Sequence, residues 1–168
     1  FRDSWWYRTE FQLPGSFQGR FLSLHLDGIN YRANVWLNGV QIGHQEEIVG
    51  MFRRFELDIT DKVYFDRANC LAVEIIPPGL LPEKEYRTKQ VEATTGWDDH
   101  NPQPPDGNMG IWQPVYIRVT GPVEIKHPFV RSDLSVPDLE TAKLTVSAVV
   151  VNRSRESVDT VLTGQIGK

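Results

Sequence analysis

The sequence predicts an all-β protein built on an antiparallel sandwich. Three observations carry that expectation. Apolar residues recur at every second position along most of the chain, helical periodicity is nearly absent, and Gly, Pro and Asn punctuate the alternating runs. One face of each run is apolar and the other polar, which suits antiparallel sheets packed on one side and wet on the other. Aromatic residues, 11% of the 168, supply the volume that fills the gap between two sheets.

The elements follow in order. Tyr7, Thr9, Phe11 and Leu13 share one face of a first strand, with Arg8, Glu10 and Gln12 on the other. Leu22, Leu24 and Leu26 alternate with Ser23, His25 and Asp27. Ala33, Val35 and Leu37 alternate with Asn34 and Trp36, so Trp36 points outward and is expected to pack there rather than to hold a ligand. Asn38-Gly39 is the strongest hairpin signal in the chain, and Val40-Gln41-Ile42 is the return strand. Phe55, Leu57 and Ile59 form the next alternating set, then Leu71, Val73 and Ile75, then Val115, Ile117 and Val119. Cys70 lies inside a strand and reads as a small core hydrophobe.

The composition shifts after Gly121-Pro122, which places a domain boundary near residues 121–126. Residues 1–121 form the first sandwich in this reading, and 122–168 the incomplete start of a second. Val123 to Leu134 reads as a strand broken by Pro128. Lys143 to Asn152 is a clean alternating strand, with Val158 to Leu162 as its expected partner. Two or three strands cannot close a core alone, and an immunoglobulin-like sandwich fits as the domain they open. The chain starts at Phe1 and stops within apolar alternation, so both ends read as cuts.

Charge and composition exclude several classes. The net charge is −4, with 18 Lys plus Arg against 22 Asp plus Glu and no basic run, which argues against a nucleic-acid partner. No window of 18 consecutive apolar residues occurs, so no transmembrane helix is expected. The single Cys70 excludes an internal disulfide framework and a Cys-based zinc cluster. No Gly-x-Ser-x-Gly turn and no Gly-rich phosphate loop is present. His44 reads as an exposed residue, and His25 and His127 as ordinary surface or cross-strand ones.

The most informative stretch is Pro77 to Gly110. It is longer than the ~15 residues beyond which a loop in a compact domain is uncommon. Trp97, Asp98, Asp99, His100, Asn101, Asp106 and Asn108 fall within it. An indole is a flat apolar platform, and Asp and Asn supply acceptors and donors for a polyhydroxylated ligand. Trp97 and Asp98 could therefore bind sugar, or Trp97 could pack the loop onto the sandwich while Asp98 caps a turn. The spacing is not that of an EF-hand loop, and zinc would need more His or Cys nearby. Adjacent carboxyls on a loop do not guarantee the about 5–9.5 Å separation that glycoside hydrolysis requires. No metal, no cofactor and no catalytic residue is assigned.

Four stretches carry a family resemblance: Trp6-Tyr7-Arg8-Thr9-Glu10-Phe11, the block Leu26 to Gly39, the pair Phe55 to Thr60 and Asn69 to Val73, and Gly110-Ile111-Trp112-Gln113-Pro114-Val115. In order and spacing they resemble the N-terminal sugar-binding domain of glycoside hydrolase family 2, over about residues 5–120. That family includes β-galactosidases, β-glucuronidases, β-mannosidases and exo-β-glucosaminidases. The resemblance implies a jelly-roll, galactose-binding-like sandwich followed by the first strands of an immunoglobulin-like one.

Gly96-Trp97-Asp98, with Asn101-Pro102 and Asn108-Met109-Gly110-Ile111-Trp112, resembles the β-mannosidase and exo-β-glucosaminidase branch. There a Gly-Trp-Asp-Trp loop projects into the catalytic barrel. The resemblance implies Asp98 as the contact to distal hydroxyls of the non-reducing-end sugar, Trp97 as its support, and Asp99 and Asn101 beside them. Asp99 stands where the usual pattern has a second Trp. This implies a more polar pocket edge or a different sugar.

The resemblance also implies a retaining mechanism with two glutamates on a (β/α)8 barrel, which would need about 250 further residues. The partners expected are that barrel in cis and a β-linked oligosaccharide or glycoside. The rival readings are a free-standing carbohydrate-binding module and a structural or adhesion sandwich without ligand. The compartment stays open, with a periplasmic or secreted location favoured.

Overall fold

The computed structural model describes residues 3–77, 109–165 and 167. It divides into two compact units, Phe1–Val119 and Thr120–Lys168.

Among its described residues the first unit is all-β, with one short 3-10 turn at Gly15–Phe17. Its strands are β1 (Trp5–Phe11), β2 (Phe21–Leu26), β3 (Ile29–Asn30), β4 (Arg32–Leu37), β5 (Val40–Gly43), β6 (Phe55–Asp58), β7 (Asn69–Ile76), β8 (Gly110–Ile111) and β9 (Val115–Thr120). They build a four-stranded sheet in the order β1-β7-β4-β5 and a three-stranded sheet in the order β6-β2-β9, with β3 paired to β8 at one end. The alternation seen in the sequence becomes the two inner faces. Leu22, Leu24, Leu26, Ala33, Val35, Leu37, Leu71, Val73 and Ile75 are all buried.

The Asn38-Gly39 turn closes β4 onto β5 with both residues at positive φ (54° and 83°), the mirror-image geometry that matches strand twist. Asn38 does more than turn the chain. Its Nδ2 donates to Asn69 Oδ1 at 2.9 Å and to Lys62 O at 2.9 Å, and its Oδ1 accepts from Cys70 N at 2.9 Å. Asn69, fully buried, also bonds both backbone groups of Tyr64. This amide pair satisfies a buried turn that apolar side chains would leave unpaired.

One expectation for a single residue needs correction, and for His25, read as a surface or cross-strand residue, the cross-strand reading holds. Cys70 is not a core residue: it alternates with buried Asn69 and Leu71 and lies half-buried on the outer face of β7. His25 is not on the surface. It is buried, its Nε2 lies 2.9 Å from Ser23 Oγ, and its ring stacks on Tyr116 at 4.8 Å. Neighbouring side chains on an outer sheet face can bury a short polar pair without a second layer.

The second unit is a long hairpin of β10 (Val123–Leu134) and β11 (Ala142–Asn152). Pro128 does not break β10. The register shifts between Lys126 and Phe129, and His127 takes a positive φ of 50°. The irregularity absorbs the missing N–H of proline. Val158–Leu162 is not a strand, in contrast to the expected partner, and its Val161 and Leu162 are exposed. Apolar alternation alone supplies no ladder partner. Among the described residues no helix is long and apolar enough to cross a membrane.

Candidate functional site

Segment 78–108 connects β7 to β8 along the chain. The residues singled out from the sequence, Trp97, Asp98, Asp99 and Asn101, lie outside the described residues. What the structure describes is the frame from which that segment springs.

Both roots are held at one end of the sandwich. On the departing side, Tyr31 N donates to Ile76 O at 3.3 Å. On the returning side, β8 pairs with β3, Ile29 opposite Ile111 and Asn30 opposite Gly110. The departing and returning strands are thus tied to consecutive residues, Ile29 to Tyr31. Asn30 is buried at this junction, and its peptide bond to Tyr31 is cis.

Gly110 has φ +127°, a conformation that side chains rarely adopt. A Cβ there would collide with the hydroxyl of Tyr7, which reaches over from the core-facing side of β1. The returning root therefore packs against the tip of the Tyr7 side chain, with no side chain of its own in the way.

Aromatic residues surround the roots. Trp112 follows β8 and lies over Gly28, where an added Cβ would come within 2.8 Å of the indole. Its backbone N donates to Gly28 O at 3.2 Å, and its Nε1 donates to Met51 O at 3.1 Å. Phe52 meets the indole edge-on, centroids 5.9 Å apart at 83°. Such a pair contributes about 0.5–1.5 kcal/mol beyond the area it buries. Yet Phe52 is 68% exposed and Trp112 45%. Arg53 Nη1 donates to Val49 O at 3.0 Å, and the Arg53 guanidinium lies 4.9 Å from the Phe55 ring centroid. The segment 44–53 is in turn tied down by Ala33 N to Ile48 O and Gly50 N to Tyr31 O, both 3.0 Å.

The result is a rim of Tyr7, Phe52 and Trp112 at the roots of a long segment whose sequence holds Trp97, three Asp and two Asn. Among the described residues it offers flat, partly exposed aromatic surface. Sequence reasoning placed Trp112 only in the closing stretch of the domain and passed over Phe52. The available signal was Met51-Phe52, an apolar pair between Gly50 and Arg53-Arg54.

A second concavity is different in kind. An apolar cavity of about 330 Å³ opens between the sheets, lined by Phe11, Leu24, Leu37, Leu71, Val115 and Ile117 among others. It sits at the opposite half of the four-stranded sheet, where Thr9 faces Leu71, whereas the roots are near the pair Trp5 and Ile75. Its lining is almost wholly apolar, which does not suit a sugar that must be oriented by hydrogen bonds.

Comparisons with known proteins agree with one another. Residues 1–113 match the family model described as glycosyl hydrolase 2 galactose-binding domain-like. An exo-beta-D-glucosaminidase of Streptomyces avermitilis is 35% identical over 99% of this chain, which spans 17% of that enzyme. A mannosylglycoprotein endo-beta-mannosidase of Lilium longiflorum is 37% identical over 73% of the chain, which spans 13% of it. The exo-chitosanase of Amycolatopsis orientalis superposes with a TM-score of 0.74 at 32% identity, over 90% of this chain and 16% of that one. A beta-D-mannosidase of Dictyoglomus thermophilum shares the fold, with a TM-score of 0.70 at 24% identity. By sequence and by fold, the chain belongs to the galactose-binding-like N-terminal domain family of glycoside hydrolase family 2.

Proposed function

We propose that this chain is the non-catalytic N-terminal part of a retaining β-glycosidase, and that segment 78–108 completes the substrate site of a (β/α)8 barrel. In this reading Asp98 accepts hydrogen bonds from distal hydroxyls of the non-reducing-end sugar, and Trp97 supports it. Asp99 and Asn101 line the same edge. Residues 122–168 open the immunoglobulin-like domain that leads on toward the barrel.

The observation that carries the reading is the anchoring of both roots of 78–108 beside one aromatic rim. In this reading the firm base lets the segment present its side chains at a fixed place. Binding energy at a distal hydroxyl is useful to catalysis because it orients the reacting carbon.

The sugar we favour is a β-linked glucosamine residue. Asp98-Asp99 places two carboxylates where an indole would otherwise follow, and paired carboxylates complement a protonated amine. The relatives named as exo-beta-D-glucosaminidases support the same choice.

The test uses the complete enzyme. Asp98→Ala is expected to lower kcat/KM on an aryl β-D-glucosaminide by about 100-fold, the loss of a charge-assisted hydrogen bond, with Tm unchanged. Unaltered kinetics on the best aryl glycoside of a panel would refute the assignment.

A further inference from the structure

The outer face of the four-stranded sheet carries an aromatic platform that the site above does not use. Trp6 on β1 pairs with Glu74 on β7, and Glu74 pairs with Asn34 on β4. One row along, Arg8 pairs with Ala72, and Ala72 with Trp36. Trp6 and Trp36 belong to strands that are not neighbours, yet their rings stack at 5.1 Å and 30°. The stack bridges over β7 at the position where Ala72 leaves room. Trp36 is half-buried, as expected of a packing residue, and serves as backing. Trp6 remains 58% exposed.

The surroundings of the platform are polar and organised. Asn34 Nδ2 donates to Glu74 Oε2 at 2.9 Å. Asn34 Oδ1 accepts from Gln41 Nε2 at 3.2 Å and from Gln45 N at 2.9 Å. Arg8 pairs with Glu10, so its charge is spoken for. Glu74, among the described residues, accepts the bond from Asn34 and stands in no ion pair. A pair of indoles beside such a carboxylate attracts cations twice over, through the ring faces and through the charge.

Burying this face against an apolar protein surface would desolvate Glu74 without a countercharge, which is costly. A hydrated cationic ring with axial C–H groups avoids that cost. It lays C–H surface on the indole, places its ammonium by Glu74, and leaves its hydroxyls in water.

We propose that the Trp6–Trp36 platform with Glu74 is a second saccharide-binding surface, selective for protonated amino-sugar residues of a polymer. The choice of an amino sugar among cations rests on the reading given under Proposed function. The surface would hold the polymer to the enzyme without touching the residue being cleaved.

The test compares the complete enzyme with its Trp6→Ala and Glu74→Gln variants. Each is run by affinity electrophoresis through gels containing soluble β-1,4-glucosamine polymer or soluble N-acetylated polymer. Hydrolysis of an aryl β-D-glucosaminide is measured in parallel. We expect retardation by the amine polymer and little by the acetylated one. Trp6→Ala should weaken that retardation by about tenfold. Glu74→Gln should remove the preference for the amine form, and the aryl-glucosaminide kinetics of both variants should match the parent.

Retardation of both variants equal to the parent's overturns the proposal. So does a loss of Tm and aryl-glucosaminide activity in Trp6→Ala, which would mean that the face packs against the rest of the enzyme. If the parent hydrolyses no aryl glycoside but is still retarded through Trp6 and Glu74, the catalytic reading fails and the surface stands.

Discussion

The sandwich and the hairpin are written in the same alphabet and end in different environments. In the first unit, alternation in β4 and β7 resolves into one buried face per strand, because a second sheet covers it, and β2 is buried on both faces. In the second unit, Leu144, Val146, Ala148 and Val150 alternate as cleanly as any strand in the chain. Val146 is nonetheless 62% exposed and Leu144 41%. Periodicity reports that a segment is a strand with an apolar side. Burial of that side is a property of the layer packed on it.

That contrast can be broken most directly in the core. Leu22→Ala, at a fully buried position, is expected to cost about 3 to 4 kcal/mol in urea unfolding of the 168-residue chain. Val146→Ala should cost under about 0.5 kcal/mol in the same experiment. Equal effects would mean that the hairpin is covered in solution.

Next in size is the amide pair. Asn69→Ala removes three buried hydrogen bonds and strands Asn38 and Tyr64, so a loss of about 2 to 3 kcal/mol is expected. Among the described residues the hairpin turn holds no equivalent buried network; Ser135 there bonds Asp138 and Thr141 in the open.

The root of segment 78–108 gives a smaller and more pointed effect. Gly110→Ala should cost about 2 kcal/mol, from backbone strain at φ +127° and collision with Tyr7. Adding Tyr7→Phe should recover about 1 kcal/mol by removing the hydroxyl that is struck, leaving the strain in place. Full additivity in this double-mutant cycle would show that Tyr7 does not abut the root.

The smallest effect is in the hairpin turn and depends on pH. Ser135 Oγ donates to Asp138 Oδ1 at 2.6 Å, and Glu140 N donates to the same oxygen at 3.3 Å. The Ser135 bond, foremost, and the backbone bond hold the Asp138 carboxyl below the usual Asp range. A depressed folded-state value contributes stability that is present above the ordinary pKa of about 3.9 and lost as pH falls through the folded one. NMR titration should therefore show the turn keeping its Ser135 contact down to about pH 4 and loosening below it. Asp138→Asn should abolish that acid step.

Much of this protein is legible without coordinates. The strands of the first unit follow from period-two alternation, and the β4–β5 turn from Asn38-Gly39, since both are local consequences of side-chain direction and backbone sterics. The family resemblance rested on ordered blocks, and comparison with known proteins bears it out. The strand expected at 158–162 and the break expected at Pro128 went astray for one reason. A ladder needs a partner, and a partner can absorb a proline in a bulge.

The candidate site divides in the same way. Asp98, Trp97, Asp99 and Asn101 were chosen by residue type and resemblance, and stand as proposals. The rim of Tyr7, Phe52 and Trp112 and the Trp6–Trp36 stack over Ala72 could not be chosen that way. The stack is set by strand order and register, β1 beside β7 beside β4, and the rim by the β3–β8 pair and the bonds of Trp112 to Gly28 and Met51. The sequence by itself determined which segments are strands, where the tight turn falls and to which family the domain belongs, because those are written in local periodicity and in ordered words. Tertiary structure alone decided which apolar faces are covered, which polar side chains are buried and which aromatics meet, because these depend on contacts between residues far apart along the chain.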